Sequence, residues 1–152
     1  MKANAPFFLV AILLLAVACL PPLDKGLQQQ YPVIAFFDSL NKGQYEQAAD
    51  LYGGSYETLV SMNPELDPND HAALWKNACE ANGFQCLTVR QISFRRETDA
   101  GGYIFSVTFN AADGSLFVQQ AEDGSSISEF EYRVLEGADG IWRVLDLPVY
   151  VP

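Results

Sequence analysis

The spacing of apolar residues changes once along this chain, at Leu87, and that change limits the folds open to it. Before it, apolar side chains recur every three or four positions: Val33, Phe36, Phe37 and Leu40, then Tyr45, Ala48, Ala49 and Tyr52. Such spacing collects them on one side of a helix with 3.6 residues per turn. After it, β-branched and aromatic residues alternate with polar ones over residues 87–98, 103–111, 115–121, 128–136 and 141–147. A period of two is that of a half-buried strand. Helices first and strands afterwards predict an α+β domain, with N-terminal helices packed on one face of an antiparallel sheet. The chain has 152 residues, 49% of them hydrophobic and 18% charged, enough for one domain with a core and cramped for two.

Punctuation sets the element limits. Tyr31-Pro32 reads as the start of the first helix and Asn41-Lys42-Gly43 as its end; Gly53-Gly54 stops a second helix that begins at Gln44. Residues 55–66 carry no clear period beyond a helical turn at 56–61. Asp67-Pro68-Asn69-Asp70 reads as an N-cap with Pro at the first helical position, opening a helix over 71–81. Ala100-Gly101-Gly102, Asp113-Gly114 and Ala138-Asp139-Gly140 offer the positive-φ positions of tight hairpins, which predicts that most pairings are antiparallel and sequential. Asp123-Gly124-Ser125-Ser126 reads as a looser connection.

Ahead of the domain, Lys2 precedes an apolar run from Pro6 to Ala18 and then Cys19. A charged start, an apolar centre and a small-residue exit are the parts of a secretory signal. Ala16-Val17-Ala18-Cys19 also resembles the bacterial lipobox. That resemblance implies a signal peptide at 1–18, cleavage before Cys19, diacylglycerol on its sulfur and a third acyl chain on its new amine, the several chains that stable anchoring requires. Two other readings compete: residues 3–23 retained as a membrane-spanning helix, for which about 20 apolar residues suffice, or an ordinary secretory peptide ending at Ala18. Residues 20–30, with two prolines, a glycine and three consecutive glutamines, read as a flexible tether, so that 19–30 form the lipidated spacer and 31–152 the domain.

With Cys19 given to lipid, Cys79 and Cys86 remain, and an even remainder in an exported chain predicts one disulfide. Cys79 is placed in the last turn of a helix ending near Asn82-Gly83 and Cys86 at the start of the next strand, so the chain reverses within reach of a bond. A Cys pair without further Cys or a nearby His cannot complete a zinc site, and redox catalysis usually uses C-x-x-C.

Composition and residue inventory exclude several functions. The formal charge is −10 and becomes −11 once Lys2 leaves with the leader, a balance that repels phosphate backbones; nucleic acid is not expected as a partner. Arg90, Arg95 and Arg96 read as cross-strand partners for Glu. His71 is the sole histidine, expected exposed in a helix's first turn, so Ser-His-Asp, Cys-His and two-histidine metal arrangements cannot form. Asp67, Asn69 and Asp70 lack the glycine turn and distal Glu of a calcium loop. No glycine-rich phosphate loop follows a strand, and no metal or cofactor is expected.

The segment Phe37-x-x-Leu40-x-x-Gly43-x-Tyr45-x-x-Ala48-x-x-Leu51, together with the closing Gly140-Ile141-Trp142-Arg143-Val144, resembles the nuclear transport factor two-like superfamily, the cystatin-like α+β roll that also holds polyketide cyclases and ketosteroid isomerases. The resemblance covers residues 32–149 and implies a strongly bent sheet wrapped around the helices as a cone. The convex face of this fold often pairs two copies, so a homodimer is a further expectation. It carries no activity, because the superfamily hosts enzymes, binders and structural domains. Strand parity names the cone's lining: Tyr103, Phe105, Val107 and Phe109, then Phe130, Tyr132 and Val134, then Trp142 and Val144. Six of these, Tyr103, Phe105, Phe109, Phe130, Tyr132 and Trp142, are the candidate pocket residues. Glu129, Glu131, Arg133 and Arg143 fall outside, and among the acids only Asp146 has inward parity, near a strand end where water is close.

The expectation is therefore a lipid-anchored extracytoplasmic domain of the bacterial cell envelope that binds a protein partner or a small apolar ligand without catalysis. The alternative is a cyclase- or isomerase-like enzyme with Asp146 as base and Tyr103 or Tyr132 as donor. The anchor is tested by feeding labelled palmitate to a bacterial host expressing the full chain. Label on the chain and its loss, with loss of membrane retention, in Cys19→Ser are expected; label unchanged by the substitution refutes acylation at that sulfur.

Overall fold

The computed structural model describes residues 25–121 and 123–152. The leader, Cys19 and residues 20–24 of the spacer lie outside them. Among the described residues four helices come first: α1 (Lys25–Asn41), α2 (Tyr45–Asp50), α3 (Glu57–Met62) and α4 (His71–Glu80). Six strands follow: β1 (Thr88–Glu97), β2 (Tyr103–Asn110), β3 (Gln119–Gln120), β4 (Ser126–Ile127), β5 (Phe130–Glu136) and β6 (Trp142–Val144). The α+β class read from the periodicity is the class observed, a helical part followed by a four-stranded antiparallel sheet in the order β1-β2-β5-β6.

α1 begins six residues before the expected start, so residues 25–30 of the spacer are helical and Pro32 stands inside the helix. Pro32 has no N–H to give the Gln28 carbonyl one turn back. The flanking residues offset that loss: Gln28, Gln29 and Gln30 are good helix formers, and Val33, Phe36, Phe37 and Leu40 bury completely or nearly so. The cap of α4 also differs from expectation. Asp70, three residues later than predicted, accepts a hydrogen bond from the Ala73 amide at 3.0 Å, while Asp67 accepts from the Asn69 amide and closes the turn that holds Pro68.

Most strand pairings are antiparallel and sequential, as expected, β1 with β2, β3 with β4 and β5 with β6, and one is not. β2 pairs with β1 on one side and with β5 on the other, from Tyr103↔Val134 to Val107↔Phe130. The expected third strand, 115–121, touches β2 only near its end, where the Phe117 amide donates to the Phe109 carbonyl at 3.0 Å. It then leaves the sheet as β3 and pairs with β4. The supposedly loose 123–126 connection is a tight turn, closed by hydrogen bonds between Ala121 and Ser125 and between Gly124 and Ala121, with Gly124 at φ 81°. The free edge of β6 is closed by the end of α2: the Val144 amide donates to Leu51 and the Gly53 amide to Val144. β1, the other edge, carries two register irregularities, at Val89/Gln91 and Phe94/Arg96, and exposed arginines, features that discourage further strand pairing.

The core lies between α1, α2, α4 and the inner sheet face. Phe37 is its centre, meeting Phe36 at 5.2 Å, Phe109 at 4.7 Å and Tyr132 at 4.9 Å between ring centroids, each edge to face. Cys79 and Cys86 stand at disulfide distance, with Cα atoms 5.5 Å apart. Closing so short a loop stabilises by about 2.5 kcal/mol on the chain-entropy account. Phe37→Ala is expected to cost about 3–5 kcal/mol in chemical denaturation with an unchanged denaturant slope, because one buried ring supports both layers.

Candidate functional site

Parity places the predicted pocket residues where expected, on the inner sheet face. Phe105, Phe109 and Tyr132 are fully buried, whereas Tyr103, Phe130 and Trp142 are half-buried and packed against the core. Their rings meet one another and α1: Tyr103–Trp142 at 5.3 Å, Phe109–Tyr132 at 5.8 Å, Phe109–Phe130 at 6.0 Å, and Phe37 on both Phe109 and Tyr132. The structure therefore brings the six together as packing for the helices.

Asp146 follows the end of β6, where alternation no longer dictates its direction. Both its carboxylate oxygens engage Arg133: Oδ2 accepts from the Arg133 amide at 2.6 Å, and Oδ1 from Nη2 at 2.5 Å and Nε at 3.0 Å. Tyr132 sits close enough to feel its charge. Burial chiefly, and then Asp146, push the Tyr132 phenol well above its ordinary range; burial and then Tyr56 do the same for Tyr52. On the outer face Glu129 accepts from Ser106 Oγ at 2.8 Å and pairs with Arg95, as expected of a cross-strand arginine. Arg90 instead donates to the Asn110 side chain and the Gly114 carbonyl. His71 is exposed and stacks on Tyr56 at 3.8 Å. Among the described residues no group of three or more His, Cys, Asp or Glu could hold a metal, and no described helix is long and apolar enough to cross a membrane.

A concave apolar site lies elsewhere. Thr58, Met62, Phe84, Leu147, Pro148 and Tyr150 enclose a groove of about 420 Å³. Three separate segments build it. α3 presents Thr58 and Met62 and is anchored by the fully buried Leu59. The disulfide loop presents Phe84, whose buried ring meets Tyr150 at 5.4 Å. The tail after β6 supplies Leu147, Pro148 and Tyr150. Gly83, at φ 87°, ends α4 in the left-handed region, and a Cβ there would strike the Val151 carbonyl oxygen, so glycine permits the tail's approach. Two further depressions have charged lining residues, the paired Asp38 and Lys42 in one of about 290 Å³, and Glu136 and Arg143 in one of about 180 Å³. The large groove has no charged lining residue. Sequence reasoning missed it because no local pattern links its three segments; the one available signal was the apolar tail after Pro148.

In alkaline spectrophotometric titration Tyr52 and Tyr132 should stay protonated well above pH 10. Their folded pKa exceeds the unfolded value, so their contribution is complete below about pH 10 and fades as pH rises further, when only the unfolded chain ionises. Replacing Tyr132 with Phe should flatten that alkaline loss of stability. Comparison of the chain with protein-family models, curated proteins and solved structures gives no match.

Proposed function

We propose that this chain is an exported bacterial lipoprotein, acylated on Cys19, whose domain is displayed outside the cytoplasm and holds an apolar group in the groove between α3, the disulfide loop and the tail. The observation that carries the binding reading is the lining: a concavity of about 420 Å³ walled by Met62, Phe84, Leu147, Pro148 and Tyr150, with the Thr58 side chain as its polar member. Grooves of this size and character suit small apolar ligands or an apolar side chain of a partner. The location reading is supported by the cysteine count. Cys79 and Cys86 stand at disulfide distance, as an oxidising compartment favours, and Cys19 alone remains for lipid. Helices laid on an antiparallel sheet also support the nuclear transport factor two-like reading, in which the sheet bends into a roll.

The domain acts in this reading without catalysis. Asp146 has both oxygens on Arg133, which weighs against its serving as a base beside Tyr103 or Tyr132. Binding is tested with N-phenyl-1-naphthylamine, an apolar fluorescent probe, on the mature chain made soluble by Cys19→Ser. Saturable fluorescence is expected, with affinity at least fivefold weaker in Met62→Gln, because an unpaired amide in an apolar site costs about 1–3 kcal/mol. Fluorescence that does not saturate, or that neither Met62→Gln nor Tyr150→Ala alters, overturns the groove as a binding site.

A further inference from the structure

All three walls of the groove reach the core, through Leu59 of α3, Phe84 of the loop and Val149 of the tail, but they are held in different ways. α3 is held by Leu59, which is fully buried, and by Asn63, whose side chain donates to the Leu59 carbonyl at 2.7 Å and accepts from Asn77 at 3.2 Å. The other walls, Phe84 and the tail, hold each other. Among the described residues beyond Asp146, the tail's backbone-to-backbone bonds run to the disulfide loop, while the Tyr150 carbonyl also accepts from the Gln119 side chain at 3.0 Å. The Gln85 amide donates to the Val149 carbonyl at 2.7 Å and the Val151 amide to the Gly83 carbonyl at 3.0 Å. Phe84 and Tyr150 form the bridge between them, and their rings touch.

We propose that the Cys79–Cys86 disulfide is the clasp that assembles this groove, so that the site is formed in the oxidised chain and opens when the bond is reduced. This rests on the groove being the binding site. The sulfurs flank the segment in question: Cys79 lies in the last turn of α4, Cys86 just before β1, and between them Gly83 and Gln85 make the two backbone-to-backbone bonds to the tail and Phe84 the bridge. Without the bond, the loop keeps the buried Phe84 ring, the helix-end hydrogen bonds from Asn82 to Asn77 and from Phe84 to Ala78, and one from the Asn41 side chain to the Cys86 carbonyl. Of these, the helix-end hydrogen bonds open at low free-energy cost, which exposes the backbone on either side of Phe84. The ladders between β2, β5 and β6 do not involve the loop, which adjoins only the start of β1.

Both cysteines are half-buried, within reach of a small dithiol. A thiolate of the dithiol attacks one sulfur, giving a mixed disulfide and releasing the other cysteine as thiolate. The second thiol of the reagent then closes its own ring. Two electrons pass to the chain, Cys79 and Cys86 take up two protons, and the reagent leaves as a cyclic disulfide.

Hydrogen exchange and probe binding test this on the mature chain carrying Cys19→Ser, compared oxidised, reduced with dithiothreitol, and with Cys79→Ser and Cys86→Ser together. In both forms lacking the bond, the Gln85 and Val151 amides should exchange at least about tenfold faster while the amides between β2 and β5 keep their protection. Affinity for N-phenyl-1-naphthylamine should fall at least tenfold and return on reoxidation. Unchanged protection at Gln85 and Val151 overturns the clasp, and so does loss of protection throughout the sheet, which would mean global unfolding. Should the two amides open while the probe binds neither form, the clasp stands and the binding reading fails. Equal probe binding in both forms, with both amides protected, leaves the binding reading and removes the clasp.

Discussion

Phe37 meets rings from its own helix and from two strands of the sheet, and the two layers of the domain are joined through it. An α-helix with one apolar stripe and a sheet with one apolar face each leave a surface that water disfavours, and pressing them together removes both at once. The stripe of Val33, Phe36, Phe37 and Leu40 meets the row of Phe105, Val107, Phe109, Tyr132 and Val134, with Trp75 and Tyr52 filling the space beside Phe36. Burial on this scale also explains how α1 tolerates Pro32. The missing hydrogen bond costs one interaction, whereas the residues just beyond it supply much of the core.

That dense packing has a functional consequence. A fold that fills its inner sheet face with its own aromatic rings leaves concave apolar space at the margin, where elements meet less completely. The margin between α3, the disulfide loop and the tail is such a place. Its walls are separated widely in sequence and are joined by a few hydrogen bonds and a covalent link. The excursion between β2 and β5 reaches the same region, for Gln119 donates to the Tyr150 carbonyl at 3.0 Å. Regions with short backbone ladders have low local stability. The proposed clasp acts at this margin, on a loop that also contributes Phe84 to the core.

Much of the architecture was legible from residue spacing. The alternation in 103–109 and 130–134 fixed which side chains face the helices, and Phe105, Val107, Phe109, Tyr132 and Val134 are buried accordingly. Alternation failed for Asp146 because β6 ends at Val144, and past that point a carboxylate turns to the nearest guanidinium, that of Arg133. It failed differently for 115–121, whose sequence has a strand's pattern but whose place beside β2 is largely taken by β5. A pattern reports which residues prefer burial and says nothing of which neighbour wins the edge.

Chemistry divides in the same way. One histidine, the pairing of Cys79 with Cys86 and the strong negative charge follow from the residues themselves, because inventory and short-range spacing need no fold to be read. The α+β class follows too, since helical and strand periods are local. The sequence did not contain the groove in any local form: Met62, Phe84 and Tyr150 become neighbours only after α4 reverses at Gly83 and the tail returns along the loop. The order of the strands and the closing of the inner face by Phe37 were likewise settled in three dimensions, because competition among distant segments for the same edges and surfaces is decided by the whole chain at once.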